Sequence, residues 1–218
     1  MKQVKLLAVF AVVFFTAGQA FAQADTAIDG KAAGWAAALQ LNDNAKTEKV
    51  RTAIAAHLTA VKDWHNSHSF TMVPEGINPA NGNKLSEMDR QIIICSTKPR
   101  SIHENLMTVL KAELDSVQIE TILDKYTIGK VEFTMKGYKA IVPDLTTKEE
   151  AEILKNLKQA REQAIDYKNM KEISAIFEIY KTKCEQYLNN NGRSWRQLYK
   201  TYTDKIKAEK AASKQQQQ

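Results

Sequence analysis

The chain has 218 residues, with 31 Lys and Arg against 25 Asp and Glu and a formal net charge of +6 at pH 7. With 44% hydrophobic and 26% charged residues, it has the make-up of a folded chain rather than a disordered one, and it is long enough to bury a core without a metal or a disulfide. Its basicity is mild and dispersed and it carries no nucleic-acid-binding motif, which excludes nucleic acid as the expected partner.

Residues 1–22 read as a secretory signal. Lys2 and Lys5 precede an apolar run over 6–15, and Ala20-Phe21-Ala22 supplies small residues where a signal peptidase reads. The run is too short to cross a bilayer. Cleavage near Gln23 is therefore expected to leave an exported chain, periplasmic or secreted, with no membrane anchor.

Residues 31–65 have helical periodicity with one interruption. Ala32, Ala33, Trp35, Ala36 and Leu39 open it, and Asn42, Asp43 and Asn44 break it by competing for backbone hydrogen bonds. Val50, Ile54, His57, Leu58, Val61 and Trp64 or His65 then recur at steps of three and four, with an end near Asn66. Residues 66–85 form one long loop, punctuated by Pro74, Gly76, Pro79 and Gly82. Its Phe70, Met72, Val73 and Ile77 argue that it is ordered and packed.

Ser86 is placed to cap a helix over 87–95, and Lys98-Pro99 opens another that buries Ile102, Leu106, Val109 and Leu110. Asp115 and Gln118 form a capping box, with Leu114 and Ile119 as its hydrophobic staple, for a helix running to Tyr126. Residues 130–142 fit strand alternation through Val131, Phe133 and Met135, and a helical face through Val131, Met135, Tyr138 and Ile141. Helix is favoured, because a lone hairpin in a helical chain is marginal.

Thr146 and Glu149 make a further capping box. Residues 147–190 then run without proline or glycine, as one very long helix or as two with a bend near 166–169. Gly192 ends that stretch, and Ser194 and Gln197 cap a last helix striped by Leu198, Tyr202 and Ile206. Beyond Ile206 only alanines could anchor the chain, so residues 207–218 are expected to be a disordered tail. The expected fold is all-α: a single compact multi-helix domain over 23–206, with the ordered loop 66–85 and the long or bent helix 147–190. Cys95 and Cys184, the only cysteines, either pair in an oxidising compartment or stay as buried free thiols.

Four clusters could carry chemistry. Trp64, His65 and His68 lie together at a helix end; with His103 they suggest acid–base work or sugar contact, but lack the spacing of a metal site, and none is expected. Arg90, Arg100 and His103 fall in a charged stretch with Asp89 and Glu104, read either as an acid–arginine pair or as a clamp for a carboxylate. Lys136 and Tyr138, with Asp144, place a tyrosine beside lysines as a lyase base would require. Arg193 and Trp195 follow an asparagine-rich turn, where a ring could stack on a sugar and arginine could meet its hydroxyls. The candidate catalytic residues are thus His65, Arg90, His103, Lys136 and Tyr138. The candidate ligand contacts are Trp64, His68, Arg100, Asp144, Arg193 and Trp195. The absence of a Gly-x-Ser-x-Gly elbow, a P-loop and a dinucleotide glycine pattern argues against a nucleotide enzyme, and no cofactor is expected.

The stretches VKDWHNSH (61–68), VPEGINP (73–79), KLSEMDRQIIICS (84–96), YTIGKVEFTMKGYKAIVPDLT (126–146) and REQAIDYKNMKEISAIFEIYKTKCEQYLNNNGRSWRQLY (161–199) resemble the domain of unknown function 3826 family. The resemblance covers nearly all of the chain after residue 22. It implies an exported protein of Bacteroidetes-type bacteria linked to polysaccharide utilisation, with pectic or rhamnogalacturonan-like glycans. It supplies no catalytic residues. The expected function is an accessory protein that binds an acidic or pectic glycan or a periplasmic protein partner. The alternative is a hydrolase or lyase acting on acidic glycans.

Overall fold

The computed structural model describes residues 26–79 and 81–215; the expected signal segment lies outside them. Among the described residues the elements are helical, in order α1 (26–37), α2 (Asn44–Ser67), a 3₁₀ turn (Phe70–Met72), α3 (Glu87–Cys95), α4 (Arg100–Glu113), α5 (Ser116–Thr127), α6 (Lys130–Ile141), α7 (Thr147–Ala164), α8 (Met170–Asn190) and α9 (Trp195–Gln215). The sole extended pairing among them is an isolated antiparallel bridge between Ile77 and Lys84. The all-α expectation holds. The chain divides into two compact units, one ending at Ile122 and the other beginning at Leu123.

In the first unit α2 packs along α4. Asp43 starts α2 by accepting from the Lys46 amide at 3.0 Å, so the residue that breaks the preceding segment also caps the next. Val50, Ile54 and Val61 from α2 and Leu106 and Leu110 from α4 are buried, the helical stripes expected from their spacing. Ser86 and Asp89 form a capping box at α3. Of the loop expected over 66–85, residues 66 and 67 belong to α2, and the described residues beyond are held by hydrogen bonds: Phe70 donates its amide to Gln91 Oε1 at 3.1 Å, and Leu85 donates its amide to Gly76 O at 2.8 Å. Met72 and Ile77 are nonetheless 58% and 64% exposed, so this loop is held by hydrogen bonds more than by its own apolar residues.

The second unit is built on the α7–α8 pair, against which α6 and α9 pack. Ile153, Leu157, Ile176, Cys184 and Leu188 are fully buried; each large aliphatic chain contributes roughly 1.5–3 kcal/mol. Residues 130–141 are helical, as favoured, and Val142 is the C-cap. The 147–190 stretch is two helices rather than one. Asn169 accepts from the Lys171 and Glu172 amides, both at 3.0 Å, and so starts α8 afresh without proline or glycine. Gly192, at φ 86°, closes α8 in a Schellman motif: Arg193 N–H reaches Leu188 O and Gly192 N–H reaches Asn189 O, both at 3.1 Å. The described part of the expected tail, residues 207–215, is a continuation of α9. α9 runs on to Gln215, and Lys, Glu, Ala and Gln carry it by intrinsic helix preference rather than by burial.

Candidate functional site

The second unit holds a cavity of about 660 Å³ lined by α6, α8 and α9. That is the size of a small-ligand site. Its walls are aromatic. Tyr138 and Trp195 have ring centroids 5.2 Å apart at 42°, and Trp195 and Tyr199 lie 6.1 Å apart at 28°. Phe133 and Tyr199, on opposite walls, are 78% and 50% exposed. Large aromatic faces left open around a cavity mark a binding surface rather than core. Lys136, Lys181 and Glu185 add charge to the same lining.

Two turns fix this arrangement. Arg193, in the α8–α9 turn, donates from Nε to Glu149 Oε1 at 2.6 Å, from Nη2 to Glu149 Oε2 at 2.9 Å and from Nη1 to Asp144 Oδ1 at 2.9 Å. The same Glu149 closes the α7 capping box with Thr146, so one carboxylate ties the starts of two helices. Arg193 holds its carboxyl far below the usual range, at about 2, with the Thr146 amide and hydroxyl assisting against the opposing effect of burial. Two residues on, Trp195 donates its amide to Asn189 Oδ1 at 2.9 Å and begins α9 facing α6. Asp144 and Arg193, expected as ligand contacts, are therefore engaged with each other as structural clasps.

Tyr138 and Lys136, expected as catalytic, both line the cavity. Tyr138 donates its hydroxyl to Lys181 O at 3.1 Å, and burial raises its pKa. A phenol so placed keeps its proton and acts as a hydrogen-bond donor. Lys136 sits in an exposed pair with Glu132 at 2.7 Å, and Lys181 in another with Glu178 at 2.9 Å. Sequence reasoning named Trp195, Lys136 and Tyr138 but did not gather Phe133, Tyr199, Lys181 or Glu185, and it placed Tyr202 in a buried stripe. The available signal was Trp195, Tyr199 and Tyr202 recurring at steps of four and three along one face of α9.

The remaining candidates belong to the first unit. His65 is buried against Cys95, with Nδ1 3.4 Å from Sγ, and Gln91 Nε2 lies 3.1 Å from that sulfur. His68 stacks on Trp64 with centroids 3.5 Å apart at 12°, which covers one face of the indole. Arg90 donates from Nε to Val73 O at 2.8 Å and lies 5.4 Å from the Phe70 ring centre, while Asp89 serves the Ser86 cap. The expected acid–arginine pair is thus a tether on the 68–85 loop. Arg100 is exposed and His103 half-buried in the first turn of α4. A second cavity, about 690 Å³, runs between α2 and α4 and is lined mainly by small and apolar side chains such as Ala53, Ala56, Ala60 and Ala112. Cys95 and Cys184 are both buried thiols, neither in a disulfide.

Among the described residues no helix is long and apolar enough to cross a membrane. No curated protein matches the chain. The family model described as protein of unknown function (DUF3826) matches residues 25–208, which agrees with the long stretches quoted above, and the chain belongs to that family.

Proposed function

We propose that this protein is an exported accessory of a polysaccharide-utilisation system that binds glycan in the α6–α8–α9 cleft of its second unit. The observation that carries this reading is the Tyr138–Trp195–Tyr199 array around a 660 Å³ cavity. Aromatic faces stack on the apolar faces of sugar rings; the half-buried Trp195 and exposed Tyr199 keep that surface available, while the buried Tyr138 backs Trp195. Lys136 and Lys181 suit the carboxylates of an acidic, pectic-type glycan, and the signal-like residues 1–22 suit a periplasmic or secreted location. The hydrolase or lyase alternative is weaker, since Tyr138 is a buried donor and a single carboxyl, Glu185, lines the cavity among the described residues.

Isothermal titration with pectic and neutral oligosaccharides tests the reading. Wild-type protein binds at least one of them. Trp195→Ala weakens that binding at least tenfold, about 1.4 kcal/mol, while helicity by circular dichroism is unchanged. Binding that persists unaltered in folded Trp195→Ala and Tyr199→Ala proteins would place the glycan elsewhere.

A further inference from the structure

The charges in the cleft are not equivalent. Lys136 and Lys181 are each already paired, with Glu132 and Glu178, at exposed positions where such pairs contribute little and exchange readily for a ligand anion. Glu185 differs. It is half-buried, it is the one carboxyl lining the cavity, and its carboxylate makes no hydrogen bond or ion pair among the described residues.

We infer that Glu185 sets which sugars the cleft accepts: as a carboxylate it repels an anionic sugar, and as a carboxylic acid it admits one and donates a hydrogen bond to it. This inference rests on the glycan reading of the cleft and names the residue that tunes it.

The groups around Glu185 fit that role. From α6 the cavity receives Lys136 and Tyr138, the latter's hydroxyl turned to Lys181 O. From α9 it receives Tyr199 and Tyr202. On α8 itself Lys181 favours the ionised form and Glu178 opposes it, while Cys184 next in sequence is a buried thiol. On α7, packed against α8, Glu152 acts on Cys184. Burial is the largest influence on Glu185 and raises its pKa. The acid form is therefore reached at a higher pH than for an exposed glutamate, while a uronate of ordinary pKa near 4 is still ionised.

The test measures affinity for a uronic oligosaccharide and a neutral one of equal length between pH 8 and pH 5. If ligand requires the protonated acid, uronate affinity above the Glu185 pKa falls by up to about tenfold per pH unit, and neutral-sugar affinity stays flat. Glu185→Gln, an isosteric neutral donor, removes the pH slope and holds uronate affinity at its low-pH level. A slope that persists in Glu185→Gln, or a flat wild-type profile for the uronate, overturns the inference and leaves the glycan reading standing. Absence of binding by either sugar at every pH overturns both. Independently of any ligand, the Glu185 side-chain carbon signal must titrate above the exposed glutamates by NMR, and an ordinary midpoint also overturns the inference.

Discussion

Arg193 and Glu149 meet through two hydrogen bonds, 2.6 and 2.9 Å, between side chains that are only 17% and 8% exposed. The pair joins the turn before α9 to the first turn of α7, and Asp144 completes the grip on the guanidinium. Its consequence is positional. Trp195 is the first residue of α9 and its ring centroid lies 5.2 Å from that of Tyr138, so a clasp on the turn that starts α9 also bears on where this ring sits.

Removing the clasp should therefore cost stability and loosen the cleft together. Arg193→Ala leaves a buried carboxylate with fewer partners and is expected to destabilise by about 2–3 kcal/mol. The pH dependence has a definite sign. Glu149 titrates at about 2 in the folded protein and near 4.5 when unpaired, so its contribution is fully present above pH 4.5 and is lost as pH falls towards 2. Thermal melts of the wild type should drop steeply across that window, and Arg193→Ala melts should drop less. Parallel curves for the two proteins would mean that Glu149 is held by something else.

The two cysteines give a cheaper check. Both are buried, and burial pushes the Cys184 thiol up to about 11. Neither is expected to react with a thiol reagent at pH 8 in native protein, and both should react once it is unfolded. Intact mass after blocking free thiols should be the same with and without reductant. A mass difference of two blocking groups would reveal a bridge.

What was legible in the sequence was the chemistry contained within a few residues. The Asp115–Gln118 box appears as reciprocal bonds of 3.1 and 2.8 Å, and the Thr146–Glu149 box likewise. The break at 165–169 was legible only as two alternatives, because an asparagine can cap a helix or ride inside one, and neighbouring packing decides. The cleft needed long-range information. Phe133 and Tyr199 lie far apart in sequence, and only the packing of α6 with α9 sets them around one cavity. The Arg193–Asp144 contact is not legible in sequence, because a guanidinium and a carboxylate look the same there whether they face a sugar or each other.

Arg90 offers a test of the first unit. Its bond to Val73 O and its position over Phe70 pin the 68–85 loop to α3, and the loop's own apolar residues add little because Met72 and Ile77 face solvent. Arg90→Ala should lower global stability by only about 1 kcal/mol, a shift of roughly 2–4 °C in Tm. Trypsin cleavage at Lys84 should accelerate far more, since the loop then opens without global unfolding. An unchanged cleavage rate would show that the loop is held elsewhere.

Gly137 sits mid-helix in α6, on the cavity wall, and a Cβ there would meet nothing within 4 Å. A glycine in a helix interior costs about 1 kcal/mol relative to alanine, so at this position the small residue carries a stability cost that the packing does not require. Gly137→Ala is expected to raise Tm by roughly 2–4 °C and to leave glycan affinity within about threefold, because a methyl group enters empty space. Gly137→Leu projects further into the cavity between Tyr138 and Lys136, and it should cut affinity more than tenfold, about 1.4 kcal/mol, in a protein that still melts cooperatively. Full binding by folded Gly137→Leu would show that the cavity is not where the ligand sits, whatever Trp195→Ala does.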